Sequence, residues 1–337
     1  MRTYFRCLLL LICISTFAQE PAPITEPEPK TNAGFKPVTL RLESLDKAKS
    51  FTLIAYGDTR FTDSNEKSAS NPRVRQTLVA KIAQEKPAAV IISGDLPWHG
   101  GDKNDWQQFE SETSPWRDAH IHVYPALGNH ELNGGEKTGL GFWWEHFPEL
   151  KGARWYSVRL GNCLLFALDT NSKLGTGSPQ SDWLKAQLSS VPADVDYVLF
   201  SMHHPAYTDS HPTLTGGHSA RSQEQEFGAM LEKLQPTMHA RFLVIAGHVH
   251  NYERFEHNGV VYLTSGGGGA KPYLFDRSAN AQFKSEKTPN YHFVKLNING
   301  GTLSAQMFRW EDDDKGGTFT ERDTFTLVAG KKENVGK

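Results

Sequence analysis

Cysteine is almost absent from this chain: it has three in 337 residues, and two of them, Cys7 and Cys13, fall near the amino terminus. Cys163 stands alone in the body, so no internal disulfide can staple the fold and stability must come from a buried core. The residue sits in the strand-like run Gly161-Asn162-Cys163-Leu164-Leu165-Phe166-Ala167 without a charged neighbour, the setting of a small apolar residue and not of a nucleophile. No Asn-x-Ser/Thr acceptor occurs, which leans towards a bacterial envelope over a eukaryotic secretory route. Charge of one sign is equally scarce. With 36 Lys and Arg against 38 Asp and Glu, composition supports neither a nucleic-acid partner nor an anionic membrane surface. The run Gly266-Gly267-Gly268-Gly269 lacks the Lys-Ser/Thr of a P-loop, and reads instead as a close approach of backbone to a site.

The ends differ from the body. Arg2 and Arg6 precede an apolar stretch from Cys7 to Phe17, and Thr16-Phe17-Ala18 offers small residues for cleavage before Gln19. That is the layout of a signal peptide over 1–18, too short in its apolar part to span a bilayer. A lipoprotein reading at Cys13 is opposed by the bulky Ile12 before it. Residues 19–37 are rich in Pro, Glu and Thr and read as a linker, while 331–337 form a charged, flexible tail. The expectation is an exported protein, periplasmic or secreted, with one domain over 38–330 and no transmembrane segment in the mature chain.

Five islands in that domain share one build, an apolar strand that stops at a metal-capable residue. Asp58 follows 51–57, Asp95 follows 89–94, Asn129 and His130 follow 121–128, His203 follows 197–202, and Gly247-His248-Val249-His250 follows 242–246. Near-continuous apolar runs read as strands buried on both faces, and ligands of open α/β sheets gather beyond the carboxyl ends of such strands. Helical spacing over Val74 to Ala83, a helix opening at Ser181, and another from Glu224 to Leu234 supply crossovers between 51 and 246. Past Val260 the pattern turns to strands and tight turns, such as Asn299-Gly300-Gly301, suggesting a second sheet packed on the first. The expected fold is α/β, a two-sheet α/β/β/α sandwich.

Oxygen and imidazole ligands without thiolate suit borderline divalent ions. Two ions about 3.5–4 Å apart can clamp an oxyanion and lower the pKa of a shared water, which suits in-line attack on phosphorus. His130, beside Asn129, is then placed to protonate the leaving oxygen.

Gly57-Asp58-Thr59-Arg60, Gly94-Asp95, Gly128-Asn129-His130-Glu131, Met202-His203-His204-Pro205 and Gly247-His248-Val249-His250 resemble, in order and spacing, the motifs of the calcineurin-like metallophosphoesterases. His250-Asn251-Tyr252-Glu253-Arg254 and the glycine run resemble more narrowly the purple acid phosphatase branch, and the likeness covers roughly residues 50–310. It implies a dinuclear centre of Fe, Mn or Zn, with Asp95 bridging, Asn129, His203 and His248 on one ion, and Asp58 and His250 on the other. His203 is preferred to His204 because family members place this ligand two residues before the proline. His130 takes the role of leaving-group acid, and the loop 207–218 is where relatives supply a substrate histidine, here His218 or His211.

Two positions depart from the family pattern. Arg60 stands where the family usually has a histidine, and Trp98 stands where purple acid phosphatases have the tyrosine that colours their iron. With neither ligand present, the Asp58 side holds its ion weakly, completes it with water, or recruits His99. Arg60 either grips substrate phosphate with its fork or pairs with Asp58 or Asp95 in a vacated ligand position. The expected activity is hydrolysis of phosphomonoesters; the rivals are a phosphodiesterase for nucleotides or lipid head groups and a phosphate- or partner-binding protein without turnover. Trp98 makes one prediction immediate: iron-loaded protein will lack tyrosinate absorption in its visible spectrum, and a purple preparation would refute the alignment at Trp98.

Overall fold

A computed structural model describes residues 34–211, 218–284, 291–312 and 316–330, so the expected leader, most of the linker and the tail lie outside the described residues. In chain order the strands are β1 Val38–Arg41, β2 Ser50–Tyr56, β3 Ala89–Ile92, β4 His122–Pro125, β5 Tyr156–Leu160, β6 Cys163–Ala167 and β7 Tyr197–Ser201. They continue as β8 Arg241–Ala246, β9 Tyr252–His257, β10 Val260–Ser265, β11 His292–Asn299, β12 Thr302–Glu311 and β13 Thr318–Val328. The helices are α1 Pro72–Glu85, α2 Lys103–Glu112, α3 Ser114–Asp118, α4 Glu136–His146, α5 Pro179–Leu188 and α6 Ser222–Leu234.

Two mixed sheets stack face to face. One has the order β1-β5-β6-β7-β8-β10-β9, the other β13-β12-β11-β2-β3-β4. Strand alternation decides what each residue covers: Leu165, Leu199, Leu243 and Ile245 point into the core between the sheets. Their neighbours Phe166, Val198, Phe200, Phe242 and Val244 join a second core with Leu184, Leu188, Phe227 and Leu231 of α5 and α6. Burial on both faces is why these strands read as unbroken apolar runs. On the other sheet α1 buries Val74, Leu78, Val79 and Ile82, and Trp116 of α3 donates its indole N–H to the Val79 carbonyl. The result is the expected α/β/β/α sandwich.

The strands are shared out differently from the sequence expectation. The carboxyl-terminal strands do not make a sheet of their own: β10 pairs parallel to β8, whereas β11 pairs antiparallel to β2 and carries β12 and β13 with it. Each sheet therefore combines a parallel part, β2-β3-β4 or β6-β7-β8-β10, with antiparallel additions. Helix α5 also begins earlier than expected. Ser178, not Ser181, is its N-cap, accepting the Ser181 N–H at 3.2 Å, with Pro179 in the first turn where a missing N–H is harmless. Tyr252 and Arg254 look inward to neither ion group; both bind Asp323 of β13, at 2.8 Å from the phenol and at 2.6 and 2.9 Å from the guanidinium. They tie β9, the edge of one sheet, to β13, the edge of the other.

Replacing one carboxylate of such a tie leaves a largely buried guanidinium and phenol without an acceptor. Asp323→Ala is expected to lower the unfolding free energy by about 2–4 kcal/mol in urea titration, with Asp323→Asn losing less; an unchanged midpoint in both would mean the sheet edges are held by packing alone.

Candidate metal centre

The carboxyl ends of β2, β3 and β4 from one sheet and of β7, β8 and β10 from the other open onto the same place, and every expected ligand lies just beyond one of them. The turns that deliver them are tight. Asp58, Arg60, Asp95 and His248 all adopt left-handed backbone, with φ of 58°, 48°, 58° and 68°. Non-glycine residues hold such conformations at about 1–3 kcal/mol each, and only where surrounding bonds impose them. Such bonds surround these turns: Asp58 N–H donates to Gly94 O, Arg60 N–H to Asp95 O and Ala270 N–H to Asp58 O. The glycines allow the crowding, since a Cβ on Gly247 would stand 2.5 Å from Asp58 Oδ2, and one on Gly268 2.3 Å from the Gly57 carbonyl.

Seven sequence-predicted residues, Asp58, Asp95, Asn129, His130, His203, His248 and His250, are brought together; all are buried except Asn129, which is exposed. The His203 Nδ1 lies 2.9 Å from Ser93 O, an acceptor only, so Nδ1 carries the proton and a neutral ring presents a bare Nε2. That Nε2 faces Asn129 Oδ1 at 2.9 Å, Asp95 Oδ1 at 3.2 Å and His248 Nδ1 at 3.1 Å. Lone pairs aimed at one another in a buried site call for a cation between them.

A second group lies alongside. Ligand atoms of Asp58, Asp95 and His250 fall within 4.8 Å of one another, with His250 Nε2 3.5 Å from Asp58 Oδ1. The His250 Nδ1 donates to Lys271 O at 2.9 Å, and its buried Nε2 has no hydrogen-bond partner among the described residues. Burial, then the positive charge of Arg60, holds the His250 ring well below its usual pKa, keeping that nitrogen unprotonated. The two carboxylates divide. Burial and the charge of Asp95 push Asp58 well up, whereas at Asp95 burial is outweighed by positive charge, that of His130 and His203 whenever they are protonated and that of Arg60 always, which holds it low. Without a cation, both cannot be ionised at once.

His204 is a near miss. Its ligand atom also lies within 4.8 Å of those on His203 and His248, but its Nδ1 is engaged at 2.7 Å by Thr170 Oγ1, away from Asp95 and Asn129. His218 packs its ring against His248 at 4.3 Å and against Tyr273 at 5.0 Å, so it walls the cluster, while His211 is exposed beyond the undescribed 212–217. His99 turns to Asp105, 3.6 Å away, and is not part of either group. Cys163 is fully buried, and burial pushes its thiol up, as an inert core residue requires.

The two departures are in contact. The Arg60 guanidinium lies over the Trp98 ring at 4.9 Å, Trp98 stacks on His130 at 4.7 Å, and Arg60 Nη2 is 3.4 Å from Asp95 Oδ2. Of the two carboxylates offered to Arg60 as a partner, Asp95 is the one it faces. His130 Nδ1 donates to Trp98 O at 2.6 Å, leaving Nε2 towards Asp95 at 3.8 Å. Burial, partly countered by Asp95, pushes this histidine down to about 4.

Sequence reasoning quoted Glu131 but gave it no role. Its carboxylate, fully buried, accepts the N–H groups of Asp95, Leu96 and Gly128 at 3.0, 2.7 and 2.6 Å, clasping the turns that carry Asp95 and Asn129. Tyr273 was also missed; it stacks on His250 at 4.4 Å, and its backbone N–H donates to His250 O. An acid next to the Asn-His pair was a visible signal for the first. Nothing local marked the second.

A family model described as calcineurin-like phosphoesterase matches residues 51–252. Phosphoenolpyruvate phosphatase of Allium cepa is 23% identical over 274 residues, covering 69% of this chain and 54% of that protein. A nucleotide pyrophosphatase/phosphodiesterase of Hordeum vulgare is 24% identical over 265 residues, covering 68% and 71%. Among solved structures, a purple acid phosphatase from yellow lupin (Lupinus luteus) seeds superposes with a TM-score of 0.64 at 20% identity, over 83% of this chain and 54% of that one. The chain thus spans about half the length of the Allium and lupin proteins.

Outer groups that orient ligand-bearing turns tune affinity by about 10- to 100-fold. Glu131→Gln is expected to keep the fold yet weaken divalent-ion binding within that range in calorimetric titration, and an unaltered affinity would reduce Glu131 to a packing role.

Proposed function

This chain belongs to the calcineurin-like phosphoesterase family, and from that premise we propose a metal-dependent phosphoesterase acting on phosphomonoesters. One observation carries the reading. Three imidazoles, an amide oxygen and two carboxylates converge at the strand ends, where His203 Nε2 faces the Asn129 and Asp95 oxygens and His250 Nε2 lies beside Asp58. Asp95, Asn129, His203 and His248 would hold one ion, and Asp58, Asp95 and His250 the other. Bound ions there would polarise the phosphoryl oxygens and supply a water activated near neutral pH.

The chain's own groups do the rest. Arg60 presents a charge that no proton loss can remove, suited to a phosphoryl oxygen. His218, whose ring packs against His248, and the exposed His211 are the substrate contacts in this reading. His130 is the leaving-group acid in this reading, acting at Nε2 because Nδ1 is spent on Trp98. A ring that burial holds at about 4 must gain a proton there, so its assistance grows as pH falls and as substrate negative charge arrives. The Arg2/Arg6 leader supports export to a periplasm or the exterior. Among the described residues no helix is long and apolar enough to cross a membrane.

The test pairs metal analysis with hydrolysis of p-nitrophenyl phosphate, its bis-ester and phenyl phosphate. Monoester turnover is expected to exceed diester turnover; the reverse would favour a phosphodiesterase, in line with the name of the Hordeum relative, and neither with ions bound would leave a binding protein. His130→Asn is expected to keep its ions while losing about 100-fold or more on phenyl phosphate. In the unaltered protein the phenyl to p-nitrophenyl rate ratio should rise as pH falls and be flat in the variant; equal profiles would remove His130 from the leaving-group step.

A further inference from the structure

The two ion groups are not built alike. The Asn129 group has four donor side chains, Asp95, Asn129, His203 and His248, gathered at 2.9–3.2 Å around His203 Nε2. The Asp58 group has three, one of them the shared Asp95, and its Asp95 oxygen is already faced by a cation, Arg60 Nη2 at 3.4 Å.

Arg60 is not a loose surface residue that an incoming ion would brush aside. Its left-handed backbone is held on both sides, by its own N–H on Asp95 O and by its carbonyl, which accepts Arg75 Nη1 at 2.9 Å and Ser70 Oγ at 3.2 Å. Arg75 is in turn fully buried and locked to Glu112. The Arg60 side chain is 11% exposed, lies over Trp98, and has an Nε without a hydrogen-bond partner among the described residues. Trp98 touches both Arg60, at 4.9 Å, and His130, at 4.7 Å, so the guanidinium packs against a ring that is itself stacked. A guanidinium cannot shed its proton to make room for a second positive charge.

We propose that Arg60 makes the centre asymmetric: the Asn129–His203–His248 group fills first and tightly, and the Asp58–His250 group takes its ion second and weakly because Arg60 is a built-in cation on their shared Asp95. This rests on the metal-dependent reading above. Two like charges a few ångströms apart in a poorly solvated site repel enough to separate the two affinities by about tenfold or more.

The experiment is calorimetric titration of chelator-treated full chain with Mn²⁺, with ion content measured by elemental analysis at fixed free Mn²⁺ and folding checked by circular dichroism. The unaltered protein is expected to show two steps at least about tenfold apart, the weaker one lost in Asp58→Asn. Arg60→Gln, which keeps length and polarity without charge, should draw the steps together, and Arg60→Lys should keep them apart. Identical constants in Arg60→Gln and the unaltered protein, a single shared constant, or no ion bound would each overturn the proposal. No ester hydrolysis is read, so two unequal ions in a protein inert towards every ester would sink the proposed function and leave the asymmetry standing.

Discussion

Asp95 is the residue on which the site depends. Its Oδ1 accepts the His130 N–H at 3.0 Å and lies 3.2 Å from His203 Nε2, while its Oδ2 faces Arg60 and the His130 ring. Its own N–H is held by Glu131, and its left-handed backbone is closed by the Arg60 N–H on its carbonyl. One carboxylate thereby belongs to both ligand groups, and its fully buried charge requires cations around it. Loss of any neighbour would leave that charge less compensated, so the cluster is cooperative by construction.

Precision comes from crowding. Strand ends from two sheets meet with so little space that Gly94, Gly128, Gly247, Gly266 and Gly268 have no room for a Cβ. Four ligand-bearing or adjacent residues accept a strained backbone in consequence. Strain of this kind persists only in a rigid frame, and the frame here is a pair of sheets whose strands β3, β7, β8 and β10 are buried on both faces.

Arg60 and Trp98 are best understood as one change. A tryptophan beside the site needs a flat partner, and a guanidinium supplies one while presenting its charge to Asp95. The same indole orients His130 by stacking, and the Trp98 carbonyl fixes that ring's tautomer. The pair thus sets a fixed positive charge beside Asp95, and in the proposed function it bears on both ion occupancy and leaving-group chemistry.

Much of this was legible in the chain. Asp58, Asp95, Asn129, His203, His248 and His250 each follow an apolar run, and runs buried on both faces mark parallel strands whose carboxyl ends hold ligands. Local signals were enough for the sandwich class and for which residues gather at the strand ends. They did not say how strands divide between sheets, because the partners of β10 and β11 are set by long-range pairing, β10 with β8 and β11 with β2. Nor did they reveal that Tyr252 and Arg254 serve Asp323, about seventy positions away, or that Glu131 clasps three backbone amides. The choice among the fates of Arg60 was equally closed to sequence, since a guanidinium's partner depends on which charges the fold sets beside it. By itself the sequence determined the chemistry available, because residue type and strand-end position are local properties. Tertiary structure alone decided which lone pairs face one another and where the opposing charge lies, because distances between residues far apart in the chain exist only once the sheets have packed.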